Sequence, residues 1–439
     1  MRLSTLLLSS AALVASGTVG FAADLPSKKA APVEYVRVCS QFGAGFFYIP
    51  GSDTCLKVSG RVRADYVYAE PFSRDTNATT TRARGYLALD SFTATDWGPV
   101  RATTRVYVTK DSGSSAATTL DWAYIQFAGI TAGRLATSFF EFAPFGGISY
   151  LGGGANGRGS DYGSINALAY TAEFGGGFRA TLALEDGSER RVGIRNVNDS
   201  FLLNSATQGQ PTFGGHVMPD VVARLEYTGS WGIAALTGAV HQTRVGAGGT
   251  NTNTAAAPAY GNVYGTSSLI GDTEYGFAVQ GGVKINLPML AAGDALFLQA
   301  AYADGANSYT GWGTAGFGTV SLPSADVMYD PTGNGHTTKS WSVTGGLLHF
   351  WAPTLRQGLY AAYGGIDHYG PNYDMTAFSV GTNLIWSPVR GLDIGAEVGY
   401  QMISEKPDYI KASLVTTGNP FYGANDSQWF GRLRFQRDF

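Results

Sequence analysis

The sequence has little charge, few cysteines and no long apolar run after its first residues. Charged residues make up 14% of the 439 positions, with 30 Lys and Arg against 33 Asp and Glu. This balance lacks the positive excess that nucleic-acid binding requires, and two cysteines are too few for a disulfide-dense scaffold. Hydrophobic residues at 44% and aromatic residues at 13% argue against intrinsic disorder. After residue 23 no stretch of about 18 apolar residues occurs, so the sequence predicts no transmembrane helix.

The first 23 residues have the pattern of a secretory signal peptide. Arg2 provides the positive charge, Leu6 to Val14 form a short apolar stretch, and Ala22 and Ala23 end the segment. A membrane helix is the alternative, but the apolar stretch is short and interrupted by serines. We therefore expect residues 1–23 to be removed after export and residues 24–54 to form a periplasmic leader.

The main pattern is an alternation with a period of two. In segment 392–403, Leu392, Ile394 and Val398 share one face, whereas Asp393 and Glu397 share the other. This pattern predicts a strand with one apolar and one polar face. Sixteen such segments can be read, at 55–68, 81–93, 99–110, 119–128, 130–137, 163–174, 177–186, 219–228, 231–243, 274–287, 293–304, 338–352, 355–367, 375–386, 391–403 and 427–439.

Short connections between these segments alternate with long ones rich in Gly, Asn, Thr and Ser, as in outer-membrane barrels. Backbone groups in hydrocarbon must be paired, so a sheet that crosses a membrane has to close on itself. Residues 55–439 are therefore predicted to form an all-β, antiparallel transmembrane barrel. A soluble β-sandwich and a β-solenoid remain open on alternation alone. Aromatic residues near the segment ends fit the interfacial girdles of a barrel: Trp97, Trp231, Trp341, Trp351, Trp386 and Trp429.

Three stretches resemble the alphaproteobacterial general porins, the group typified by the rhizobial and Brucella porins. They are VEYVRVCSQFGAGFFYIPGSDTCLKVSGRVRADY at 33–66, MPDVVARLEYTGSWGIAALTGAV at 218–240 and RLRFQRDF at 432–439. The resemblance implies a sixteen-stranded, homotrimeric porin of a Gram-negative outer membrane that passes small hydrophilic solutes and ions by diffusion. It also implies that loop 3 folds into the lumen. Leu433, Phe435 and Phe439 resemble the terminal signal that the barrel-assembly machinery reads.

The candidate constriction is loop 3, at about 138–162, whose acids are Glu141 and Asp161. Its opposing wall is expected to be arginine-rich, with the side chains that fall on the inner parity of strands 1 to 5: Arg61, Arg63, Arg82, Arg84, Arg101, Arg105 and Arg134. Arginine is always charged and suits a fixed field across a pore, although some of these residues could line a wet lumen far from its narrowest point. Relatives carry more acids in loop 3, so we expect less cation selectivity here.

Cys39 and Cys55 are sixteen positions apart in an exported chain, which favours a disulfide over two free thiols. The sequence contains no metal-ligand spacing and no catalytic constellation, so we expect no cofactor, no metal and no enzyme activity. Lipid and lipopolysaccharide are the expected surroundings of the barrel. Two alternative functions remain: a barrel enzyme, and a barrel that acts mainly as an adhesin or phage receptor through its surface loops.

Overall fold

The computed structural model describes residues 37–71, 74, 77–142, 164–196, 213–245, 273–313, 316–317, 320–321, 324–329, 334–370, 374–406 and 427–439. Within these ranges, no helix is long and apolar enough to cross a membrane. The signal peptide and residues 24–36 of the leader lie outside the described residues, as do most of loop 3 and Asp161.

Sixteen antiparallel strands in the described part of the chain form one closed barrel. In chain order they are β1 (Thr54–Ala69), β2 (Thr79–Thr93), β3 (Val100–Asp111), β4 (Ala117–Phe127), β5 (Ile130–Leu135), β6 (Ile165–Gly175), β7 (Phe178–Glu185), β8 (Asp220–Gly229), β9 (Gly232–Arg244), β10 (Thr273–Asn286), β11 (Ala295–Asp304), β12 (Lys339–Ala352), β13 (Leu355–Asp367), β14 (Asp374–Val389), β15 (Leu392–Lys406) and β16 (Ser427–Asp438). Each strand pairs with its neighbours in sequence.

The barrel closes between its first and last strands. β1 and β16 pair antiparallel from Arg61 opposite Asp438 to Ala69 opposite Phe430. Closure leaves no unpaired sheet edge, which is the condition for a sheet in hydrocarbon. The predicted transmembrane barrel is confirmed, and every one of its sixteen predicted strands lies within three residues of the observed bounds.

On each of β1 and β2, the exposed, large apolar side chains share one parity and therefore lie on the outer face. On β1 these are Val58, Val62 and Tyr66, and on β2 they are Leu87 and Leu89. A soluble monomer rarely exposes so continuous an apolar surface, whereas a barrel in lipid requires one. Exposed tryptophans mark the end of the barrel that has the short turns: Trp97, Trp231, Trp351 and Trp386.

The N-terminal segment is tied to the inner face at the same end. Cys39 and Cys55 form a disulfide, which confirms the predicted pairing. A two-residue strand, Phe47–Tyr48, pairs antiparallel with Leu56 and Cys55. Around the bridge, three phenylalanine rings lie 4.8 to 6.5 Å apart: Phe42, Phe46 and Phe92.

The sequence did not predict the short elements of the long-loop end. They are the 3₁₀ helices Gly187–Arg190 and Asn307–Thr310 and the strands Ile194–Asn196, Gly316–Phe317, Val320–Ser321, Val327–Tyr329 and Gly335–Thr337. Val327–Tyr329 pairs with both Ile194–Asn196 and Gly335–Thr337, so it joins two loops that are far apart in sequence. These elements are too short to show any periodicity.

Candidate functional site

Eight arginines lie on the inner faces of four adjacent strands, and we call them the arginine wall. Six were predicted from the sequence, and β16 adds Arg432 and Arg434. The strand register places them on the face opposite the exposed apolar residues. The full set is Arg61, Arg63, Arg82, Arg84, Arg101, Arg105, Arg432 and Arg434.

Five arginines of the wall are held by aspartates on neighbouring strands. Arg61 bonds Asp438 at 2.5 and 2.9 Å, and Arg82 bonds Asp111 at 2.6 and 2.8 Å. The others are Arg101 with Asp90, Arg105 with Asp121 and Arg434 with Asp65. Most of these pairs are bidentate, so each fixes its guanidinium against the wall.

Arg63 and Arg84 have a different environment. They lie directly opposite each other on β1 and β2. Arg63 donates two hydrogen bonds to Gln436 Oε1, at 3.2 and 3.0 Å. Arg84 donates to Thr109 Oγ1 at 2.6 Å and to the hydroxyl of Tyr86 at 3.2 Å. Both guanidinium groups are therefore bonded to neutral partners.

Tyr86 is the centre of the wall. Its buried ring has four guanidinium carbons within 6 Å of its centroid: Arg61 at 5.8 Å, Arg63 at 5.5 Å, Arg84 at 5.8 Å and Arg105 at 5.0 Å. A cation near an aromatic ring at this range is attracted by the ring quadrupole. The ring thus helps to keep four like charges close together. Sequence reasoning missed Tyr86, although its inward parity next to four arginines was visible.

Arg134 does not join the other predicted arginines. It lies opposite Asn166 in the register of β5 and β6, on the parity of the exposed Ile130 and Leu168. It donates to Glu189 at 2.8 Å. The short strand β5 begins directly after the turn at Ala128 and Gly129. The prediction from sequence assigned Arg134 to the inner face of this strand, which is wrong.

The described start of loop 3, Ser138 to Phe142, lies against the wall opposite the arginine wall. Phe140 is buried with Tyr309 on a platform of small residues, one from each of the strands β6 to β11: Ala169, Ala183, Val222, Ala239, Ala278 and Ala303. Arg224 donates to the carbonyl of Glu141 at 2.6 Å, and Thr237 donates to the carbonyl of Phe140 at 3.1 Å. The first five residues of the loop therefore run along the inner face.

Glu141 is buried rather than open to the lumen, with 2% of its side chain exposed. Arg190, which is fully buried, donates to Glu141 at 3.0 Å and lies 3.9 Å from Glu185. Burial opposes the charge of Arg190, but the carboxylates of Glu141 and Glu185 outweigh it and raise the pKa of the guanidinium. Ser138 donates to Glu185 at 2.6 Å, and Phe139 N–H donates at 2.8 Å.

The same buried cluster continues into the loop after β11. Arg190 stacks 4.3 Å above the ring of Tyr309, whose hydroxyl donates to Asp220 at 2.6 Å. His241 Nδ1 lies 2.8 Å from Asp220. We call the group Glu141, Glu185, Arg190, Asp220, His241, Tyr309 and Asp326 the loop anchor.

Asp326 closes the loop anchor. It accepts backbone hydrogen bonds from Asn307 at 2.8 Å and from Val192 at 2.9 Å, and lies 3.9 Å from His241. Burial raises the pKa of Asp326 to about 6, although His241 and the two backbone N–H groups act in the opposite direction. The loop anchor therefore joins three loops, after β5, β7 and β11, into one buried unit. Sequence reasoning missed it, because its members have no common spacing.

Comparison with known proteins identifies the family. The profile of the Porin subfamily matches residues 24–428. The porin Omp2b of Brucella abortus (strain 2308) is 28% identical over 458 aligned positions, with all of both chains covered. Two solved structures share the fold: the outer membrane channel DcaP of Acinetobacter baumannii (TM-score 0.58, 16% identity, 89% of this chain and 99% of that chain) and the trimer form of OmpT of Vibrio cholerae (TM-score 0.50, 10% identity, 88% and 100%). The chain therefore belongs to the Porin subfamily and forms an outer-membrane channel.

Proposed function

We propose that this channel carries small hydrophilic solutes passively and prefers anions weakly over cations. The observation that supports this is the charge on the inner faces of β16 and β1 to β4. There, eight arginines and Lys57 accompany five aspartates among the described residues: Asp65, Asp90, Asp111, Asp121 and Asp438. Rings of fixed charge at a narrow pore set its ion selectivity. Glu141 adds little negative field to the lumen, because it is buried against Arg190.

The constriction in this proposal forms between loop 3, at 138–162, and the arginine wall. The position of Ser138 to Phe142 on the opposite inner face supports it, because the loop starts inside the barrel. Asp161 would then be the one acid of loop 3 left to face the arginines. Arg134, on the outer parity, is not part of this constriction.

The assembly of the protein belongs to the same proposal. We expect residues 1–23 to be removed, the barrel-assembly machinery to insert the chain, and lipopolysaccharide to surround it. A homotrimer is expected, and the likeness to the trimer form of OmpT supports it. No catalytic role is included. Light scattering of the detergent-solubilised protein tests the trimer, and mass spectrometry of the mature N-terminus tests the cleavage.

Reversal potentials in planar bilayers under a KCl gradient test the selectivity. The expected reversal potential has the sign of a chloride-preferring pore, and a clear potassium preference would contradict the proposal. Liposome swelling with sugars of increasing size tests passive diffusion separately. The expected rates fall steadily with sugar size, whereas no swelling with any sugar would contradict a diffusion pore.

A further inference from the structure

We infer that Arg63 and Arg84 form a binding site for a small oxyanion, such as a phosphate or a carboxylate, within the lumen. This inference rests on the proposed function, because the anion must enter the channel to reach the site. Five arginines of the wall have an aspartate partner. Within the described ranges, neither Arg63 nor Arg84 has a carboxylate within 4.0 Å.

The register makes the two side chains a pair. Arg63 and Arg84 are directly opposite on adjacent antiparallel strands, on the inner face. Side chains in this position have Cβ atoms about 4.5–5.5 Å apart. Like charges directly opposite are destabilising in a sheet, and an anion between them removes the repulsion. Repulsion between the two guanidinium groups thus destabilises this part of the sheet, and a bound anion relieves that repulsion.

Each guanidinium has donors left for a ligand. Arg63 uses Nε and Nη2 on Gln436, which leaves Nη1. Arg84 uses Nε on Thr109 and Nη1 on Tyr86, which leaves Nη2. Both side chains are half-buried, so lumen water and solutes reach them. An oxyanion with two or more oxygens can accept from both groups at once, whereas chloride offers a single centre.

The aromatic residues hold the pair in place. Both guanidinium carbons lie within 6 Å of the Tyr86 ring, and Arg84 also lies 4.2 Å from the ring of Tyr107. The hydrogen bonds to Gln436 and Thr109 fix the orientation of the two guanidinium groups. Side chains that are already ordered lose little entropy when a ligand binds. The site is therefore preorganised rather than assembled by the anion.

Single-channel recording at fixed pH and ionic strength tests the site. Inorganic phosphate and malonate are added separately to KCl, and the concentration that halves the current is measured for each. In wild type both anions are expected to interrupt the current. In Arg63→Gln or Arg84→Gln this concentration is expected to rise about tenfold, the effect of losing one charge-assisted bond of about 1.4 kcal/mol. A block by phosphate and not by malonate, or the reverse, identifies the type of oxyanion that the site binds.

Arg61→Gln is the matched control. It removes one charge from the same wall, but Arg61 is paired with Asp438, so the half-blocking concentration is expected to change less than about twofold. Arg63→Lys keeps the positive charge but loses the planar guanidinium group, so an intermediate rise of the half-blocking concentration is expected. This variant tests the site even if a glutamine variant folds poorly. Equal effects in Arg61→Gln and Arg63→Gln, or no block in wild type, would overturn the site. A channel that conducts KCl and shows chloride preference without oxyanion block leaves the proposed function intact, whereas an absent current refutes that function.

Discussion

The ring of Phe439 fills the space beside Gly60 on the outer face, where β1 meets the end of β16. A Cβ on Gly60 would lie 2.4 Å from Cζ of Phe439 and 3.0 Å from the carbonyl oxygen of Tyr86. The two residues also exchange backbone hydrogen bonds of 2.9 and 3.0 Å. The close contact between the two strands that close the barrel therefore requires a glycine at position 60.

Gly60→Ala is expected to destabilise the barrel by about 1–2 kcal/mol, because the phenylalanine ring must leave its place. The thermal unfolding temperature in detergent measures this. Gly85→Ala is the control, since Gly85 lies opposite Val62 on the same outer face, and a Cβ there meets nothing within 4 Å. Equal unfolding temperatures for the two variants would contradict the role of the contact.

Gly282→Ala is expected to displace the start of loop 3. A Cβ at Gly282 would lie 2.3 Å from the ring of Phe142, so the ring must move towards the lumen. We expect a smaller single-channel conductance and a loss of about 1–3 kcal/mol in stability. The adjacent Gly281→Ala points outwards into open space and should conduct as wild type. A conductance in Gly282→Ala equal to that control would show that Phe142 does not set the pore width.

Arg190→Gln is expected to destabilise the loop anchor by about 3–5 kcal/mol, because it removes the buried cation that Glu141 and Glu185 share. Limited proteolysis of the long loops measures the loss, with faster cleavage as the expected result. Arg191→Gln is the neighbouring control, since Arg191 is only partly buried and donates to the Gly214 carbonyl. The prediction is wrong if both variants are cleaved at the same rate.

Asp326→Asn is expected to change how stability depends on pH. The folded pKa of Asp326 is about 6 and its ordinary value is 3.8, so the raised pKa favours folding below about 3.8, and this contribution is lost as pH rises through 6. Relative to wild type, the variant should gain about 2–3 kcal/mol between pH 4 and pH 7. Thermal unfolding of both proteins across this range measures the difference. A difference between the two proteins that stays constant across this range would contradict the prediction.

The strands were predictable from sequence, and the loop anchor was not. Alternation between lipid and water repeats at every second residue, so even the short strand β5 was located within two residues. The pairing of Arg190 with Glu141 depends on contacts between segments 49 positions apart, for which the sequence has no local signal. The prediction of the face on which Arg134 lies was wrong for a related reason. A strand of six residues gives too few alternations to fix which residues point inwards.

The inner surface of this barrel carries its arginines on one side and the support of loop 3 on the opposite side. The arginines lie on β16 and β1 to β3, whereas the start of loop 3 rests on the platform of five alanines and Val222 on β6 to β11. Larger side chains on that platform would push the loop inwards and narrow the bore without altering a single charge. Under the proposed function, exchanges in the arginines would alter ionic preference without touching that platform. Two sets of substitutions on opposite sides of one scaffold would then act on calibre and on ionic preference separately.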